Sequence, residues 1–195
     1  MAIVLVPISI KLELVGKHLL LKLMKTELPI TNEMNILPSA DSSEKDFNFF
    51  VGSWKVRNKK LNKRLANCDA WTEFEAKSEC RKLLQGFANT DSFYTTFDGK
   101  PFEGMTLRLF NPITKLWSIY WADSNVVVLD VGQIGSFDGE IGEFYARDVF
   151  EEKPIIVKFK WDKTNVDAPV WSQAFSMDEG KTWEWNWYMY FQKQG

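Results

Sequence analysis

Trp183-Glu184-Trp185-Asn186-Trp187-Tyr188-Met189-Tyr190-Phe191 alternates along its whole length. Successive side chains of an extended strand point to opposite faces of the sheet. The pattern therefore places Trp183, Trp185, Trp187, Met189 and Phe191 on one face. Glu184, Asn186, Tyr188 and Tyr190 take the other. The first face reads as core and the second as wet. The same period recurs upstream, where Ile155, Val157, Phe159 and Trp161 oppose Lys158 and Lys160. Trp117, Ile119 and Trp121 likewise share a face.

Between these stretches the chain carries turn signals at strand spacing. Asp98-Gly99 and Asp138-Gly139 are favoured two-residue hairpin turns, and Asn111-Pro112 redirects the chain once more. Strands are expected over 71–84, 86–96, 102–110, 116–122, 126–137, 141–150, 155–161, 170–175 and 183–191, after an opening strand from Gly52. Residues 61–67 are expected to form a short helix. About ten sequential antiparallel strands without crossover helices favour an all-β, up-and-down barrel, because closure removes exposed edges. A two-sheet sandwich is the alternative. Nine Trp and fifteen Phe give a chain of 195 residues ample apolar surface for such a core.

Residues 1–45 read as a leader, flexible or partly helical, and 46–195 as the barrel domain. The apolar run from Ala2 to Ile10 is followed by Lys11, Glu13, Lys17 and Lys22. It is too short for a membrane span, which needs about 20 apolar residues, and it lacks the basic start of a signal peptide. A cytoplasmic location follows as the expectation. Met24 and Met34 are alternative starts, and removing 1–45 is expected to leave the fold intact.

Net charge is −2 and pI about 5.6, without a basic stripe, so nucleic acid is not an expected partner. The two cysteines, Cys68 and Cys80, can pair or stay free, free being the commoner state. They cannot assemble a four-ligand zinc site without histidines. The one histidine, His18, lies in the leader. No cofactor and no metal are expected.

Gly52-Ser53-Trp54, reached through Phe47-Asn48-Phe49-Phe50-Val51, resembles the Gly-X-Trp opening of the calycins, the lipocalin and fatty-acid-binding-protein superfamily. The resemblance implies that Trp54 plugs one end of the barrel. With Gly104 to Pro112, Trp117 to Asp123, Gly142 to Tyr145 and the Trp-rich end, the chain is similar to a family of uncharacterised calycin-like domains over residues 47–192. Nitrobindins, calycin relatives that hold haem through a histidine, share the opening. The barrel here has no histidine, so haem binding does not carry over. Ser176-Met177-Asp178-Glu179-Gly180-Lys181-Thr182-Trp183 resembles an Asp-box, which implies a hairpin turn. A single copy without a repeat does not make a sialidase.

A binding site is then expected inside the barrel, for a small apolar or aromatic ligand. Trp117, Trp121, Trp161, Trp171, Trp185 and Trp187 are its expected walls, and Arg108, Arg147 and Gln173 its polar anchors. Fatty-acid-binding relatives use interior arginines to hold a carboxylate, which the resemblance offers for Arg108 and Arg147; an outward arginine paired with a neighbouring Glu is the commoner arrangement, and alternation does not decide which face either takes. An enzyme that uses cavity carboxylates and tyrosines, Glu143 and Tyr145 among them, is the alternative. A third reading is a filled barrel that serves as a structural homodimer through Tyr120, Tyr188 and Tyr190. No catalytic residue is assigned.

Overall fold

A computed structural model of the chain describes residues 34–97 and 99–194, together with two short backbone strands nearer the N-terminus. The chain divides into two units, 1–33 and 34–195. In the first, β1 (Glu13–Val15) pairs antiparallel with β2 (His18–Leu20). The rest of the expected leader up to residue 33, and Asp98 of the Asp98-Gly99 turn, lie outside the described residues.

The second unit is a closed barrel of ten strands, each antiparallel to its neighbours. In chain order these are β3 (Gly52–Leu61), β4 (Trp71–Leu83), β5 (Ala88–Phe97), β6 (Lys100–Asn111) and β7 (Leu116–Asp123). They continue as β8 (Gln133–Asp138), β9 (Ile141–Phe150), β10 (Lys153–Asp162), β11 (Val170–Ser176) and β12 (Glu184–Lys193). Each strand pairs with the next, and β12 closes on β3 with Trp187 opposite Lys60 and Tyr190 opposite Arg57. The all-β, up-and-down barrel expected from the alternation is the observed fold.

One end is stoppered from within. A 3-10 turn, Asn48–Phe50, drops Phe47 and Phe50 into the barrel, where both are buried. Phe47 meets Trp117 edge-on at 5.0 Å, and Phe50 stacks on Trp54 at 5.3 Å. Trp54 is buried and donates its indole N–H to Phe50 O at 2.7 Å. A buried Trp needs such a partner, because an unpaired N–H away from water is costly. Trp117 solves the same problem with Ser43 O and Asp46 Oδ2, both at 3.2 Å. The segment before the barrel thus supplies acceptors to its core.

Three expectations are corrected. Residues 61–67 form no helix: after β3 they turn irregularly, and Leu65 and Asn67 have φ of 53° and 50°, which a right-handed helix excludes. The strand expected over 126–137 begins only at Gln133. Asp123 accepts from the N–H groups of Asn125 and Val126 and starts a loop instead. Val126, Val127, Val128 and Leu129 are exposed along that loop, so an apolar run that reads as strand lies outside the sheet. Finally, a β-bulge interrupts the β11–β12 register: Gln173 pairs with Trp187, but Ala174 pairs with Trp185. The extra residue, Asn186, reverses the facing of everything before it.

Candidate functional site

The interior is shaped by parity. On β3, Trp54, Val56 and Asn58 point inward, and Lys60 follows them. On β6 the inward series is Phe102, Gly104, Thr106, Arg108 and Phe110. Gly104 has a steric role there: a Cβ would lie 2.2 Å from the Trp121 ring. Its absence lets that indole lie flat against β6.

Between the aromatic stopper and the other end sits a cavity of about 60 Å³. Phe93, Trp121, Phe159, Trp161, Trp171, Trp187 and Phe191 form its aromatic lining, with Arg108 and Asp91 its charged members. A water needs roughly 10–15 Å³ measured this way, so the space holds a few waters or a single small ring. Most of the barrel is filled by its own side chains.

Arg108 and Asp91 are both buried, and Arg108 Nη1 donates to Asp91 Oδ1 at 2.5 Å and to Asn89 Oδ1 at 3.0 Å. The guanidinium also packs over the rings of Phe47, Phe50 and Trp161 at 5.1–5.6 Å. Its Nε has no hydrogen-bond partner among the described residues. Cys80 lies beside this pair, and burial pushes its thiol up to about 12, with Arg108 opposing and Asp91 adding. Such a thiol stays protonated and unreactive at neutral pH.

At the end opposite the stopper, the loop over residues 62–70 folds across the aromatic lining. Leu65 packs against the core. Its backbone N–H donates to both oxygens of Glu184, at 2.7 and 3.0 Å. Arg64 lies 5.3 Å from the Phe175 ring and 6.0 Å from that of Trp187. Burial lowers its pKa, against the pull of Glu184. The bulge at Asn186 makes this anchor, since it brings Glu184 opposite inward-facing Phe175.

Of the expected site residues, Arg108, Trp121, Trp161, Trp171 and Trp187 come together around the cavity. Trp117 belongs to the stopper. Gln173 is buried and inward, but its amide donates to Asn186 Oδ1 at 2.8 Å, holding the bulge. Trp185 is turned outward by that bulge and stacks on Tyr188 at 6.3 Å. Arg147 is outward too, because Phe144 and Ala146 take the inward parity of β9. It forms a two-point pair with Glu179, at 2.8 and 2.6 Å.

Glu143 and Tyr145 share that outer face, hydrogen-bonded at 2.5 Å, with Lys158 Nζ 2.9 Å from the carboxylate. Neither lines the cavity, whose one carboxylate, that of Asp91, is already paired. Among the described residues no three His, Cys, Asp or Glu side chains gather as a metal site. No helix among them is long and apolar enough to cross a membrane. Lys60 and Arg64 were not anticipated as site residues. The signal for Lys60 was present, since parity from Trp54 carries it inward.

No protein-family model matches the chain, and no curated protein does either. Solved structures do. The S-type phycobiliprotein lyase CPES from Guillardia theta is 11% identical, with a TM-score of 0.55, over 79% of this chain and 93% of that one. Rv2717c from M. tuberculosis is 13% identical, with a TM-score of 0.50, over 77% of this chain and 96% of that one. At such identities the likeness is one of fold, a closed antiparallel barrel.

Proposed function

We propose that the barrel is a binding protein for a small apolar or aromatic ligand, about one ring in size, held among Trp121, Trp171 and Trp187. One observation carries the reading: an indole-lined cavity is kept open beside a buried arginine whose Nε is unpaired among the described residues. Ligand sites are typically apolar with a few placed polar groups, and an acceptor on the ligand would relieve the orphaned donor. Lys60 and Arg64 at the loop end favour a ligand with an anionic group. The fold shared with a phycobiliprotein lyase is compatible with a barrel that serves a small molecule.

Calorimetric titration with benzoate and with phenol tests this. Binding is expected in the parent protein and is expected to vanish in Thr106→Leu, which fills the cavity that Thr106 lines. Arg147→Ala should bind as the parent does. Absence of heat with any single-ring compound at millimolar concentration, in a protein that melts cooperatively, would reject the reading.

A further inference from the structure

Arg108 lines the cavity and is only 3% exposed, yet it uses one corner of its guanidinium. Both hydrogen bonds that it donates among the described residues leave from Nη1, to Asn89 Oδ1 and to Asp91 Oδ1. Nε has no acceptor among those residues, and no bond from Nη2 joins the two from Nη1. Nε and Nη2 form one edge of a planar fork that can only donate. The fold leaves that edge unanswered.

The lining divides by strand. Asp91, Thr106 and Arg108 lie on β5 and β6, with Asp91 opposite Thr106 in the register. Trp161, Trp171, Trp187 and Phe191 lie on β10 to β12. A ring packed on the indole side therefore has its polar neighbours on the β5–β6 side. Charge decides which substituent suits them. Asp91 and Arg108 are the charged members of the lining and already neutralise each other, and Asp91 Oδ2 accepts from Ser78 Oγ at 3.2 Å as well. A carboxylate on the free edge would set a second buried anion beside Asp91 with one cation between them. A buried charge without a counter-charge of its own is costly. An uncharged oxygen brings the lone pairs without the charge.

We infer that the free edge of Arg108 selects a neutral oxygen acceptor, the hydroxyl or carbonyl of a ring seated on the indoles, and rejects a carboxylate. The inference rests on the interior-binding reading above and adds to it the class of group that the ligand carries and the residue that selects it. An anionic group on the same ligand belongs at the loop end, away from Asp91.

The test compares phenol, toluene and benzoate by calorimetric titration of the full chain. Phenol and toluene share a shape, and a cavity without a donor takes toluene, because a hydroxyl buried without a partner costs about 1–3 kcal/mol. Phenol is expected to bind the parent about tenfold more tightly than toluene. Arg108→Lys keeps a cation for Asp91 but has a methylene in place of Nε, and the double variant Asp91→Leu, Arg108→Met removes the pair. In both, phenol should weaken about tenfold while toluene and benzoate keep their parent affinities. Toluene binding the parent as tightly as phenol overturns the inference, whatever the stability of the variants. Loss of benzoate alongside phenol in the double variant, with toluene retained, also overturns it, by placing the carboxylate on that edge. Either result leaves the cavity reading standing, whereas a parent that binds none of the three rejects both.

Discussion

Arg108 Nη1 lies 2.5 Å from Asp91 Oδ1, and the two side chains are 4% and 6% exposed. Breaking such a pair from one side leaves an uncompensated buried charge, which costs about 3–5 kcal/mol. Asp91→Ala should lose stability of that order in urea unfolding, because Arg108 then keeps only Asn89 Oδ1. The double variant Asp91→Leu, Arg108→Met should recover most of the loss. A single variant as stable as the parent would show that the pair does not hold the cavity floor.

Trp117 ties residues 34–46 to the core. Asp46 Oδ2 accepts from the Trp117 indole at 3.2 Å and from Ser43 N at 3.1 Å, and Ser39 N donates to Ser136 Oγ at 2.9 Å. A chain starting at Phe47 leaves the buried Trp117 donor without these acceptors, at about 1–3 kcal/mol. It should still close its barrel, yet melt below a chain starting at Met34 by about 2–4 °C for each kcal/mol lost. Equal melting temperatures would count against the role given to Asp46.

Strand parity made the barrel legible, because a half-buried strand writes its faces into every second residue. Trp121, Trp161 and Trp187 were placed that way, whereas alternation left the face of Arg108 open. Parity failed at Trp185, where one inserted residue turns the indole outward and its neighbour Glu184 toward the loop. A bulge of this kind has no compositional mark, since Asn186 earns its place through Gln173, 13 residues away in sequence. Val126 to Leu129 misled for a different reason. Apolar composition reports burial or strand pairing, but Asp123 captures the following N–H groups and bends the chain away. Asp46 was unreadable because its partner, Trp117, is 71 positions on.

Asp178 organises the β11–β12 turn. Its carboxylate accepts from Thr182 Oγ1 at 2.7 Å, from Thr182 N at 2.8 Å and from Ser176 Oγ at 2.8 Å. Those bonds, the two from Thr182 first, lower its pKa from 3.8 to about 2. A folded-state pKa below the unfolded one means that the native state prefers the ionised form. Its stabilisation is complete above the unfolded value and is lost as pH falls through about 2. Asp178→Asn should therefore show a flatter acid limb than the parent between pH 4 and pH 2 in thermal melts. Superimposable acid limbs would mean that the turn gains nothing from the charge.

Lys60 has the opposite linkage. Its folded-state pKa, about 8, lies below the ordinary 10.5, so the fold disfavours the charged ammonium. Below pH 8 both folded and unfolded chains carry the proton, and the native state bears the whole desolvation cost. Between pH 8 and 10.5 the folded chain sheds its proton first, and the parent gains stability as pH rises. At about 1.4 kcal/mol per pH unit the full cost is about 3 kcal/mol. Lys60→Met keeps the apolar contact with Trp187 without the charge, so it should be more stable than the parent by that order at pH 7. The advantage should shrink above pH 8 and disappear near pH 10.5 in urea unfolding. An advantage that does not change with pH would mean that the Lys60 ammonium is solvated in the folded chain and bears no desolvation cost.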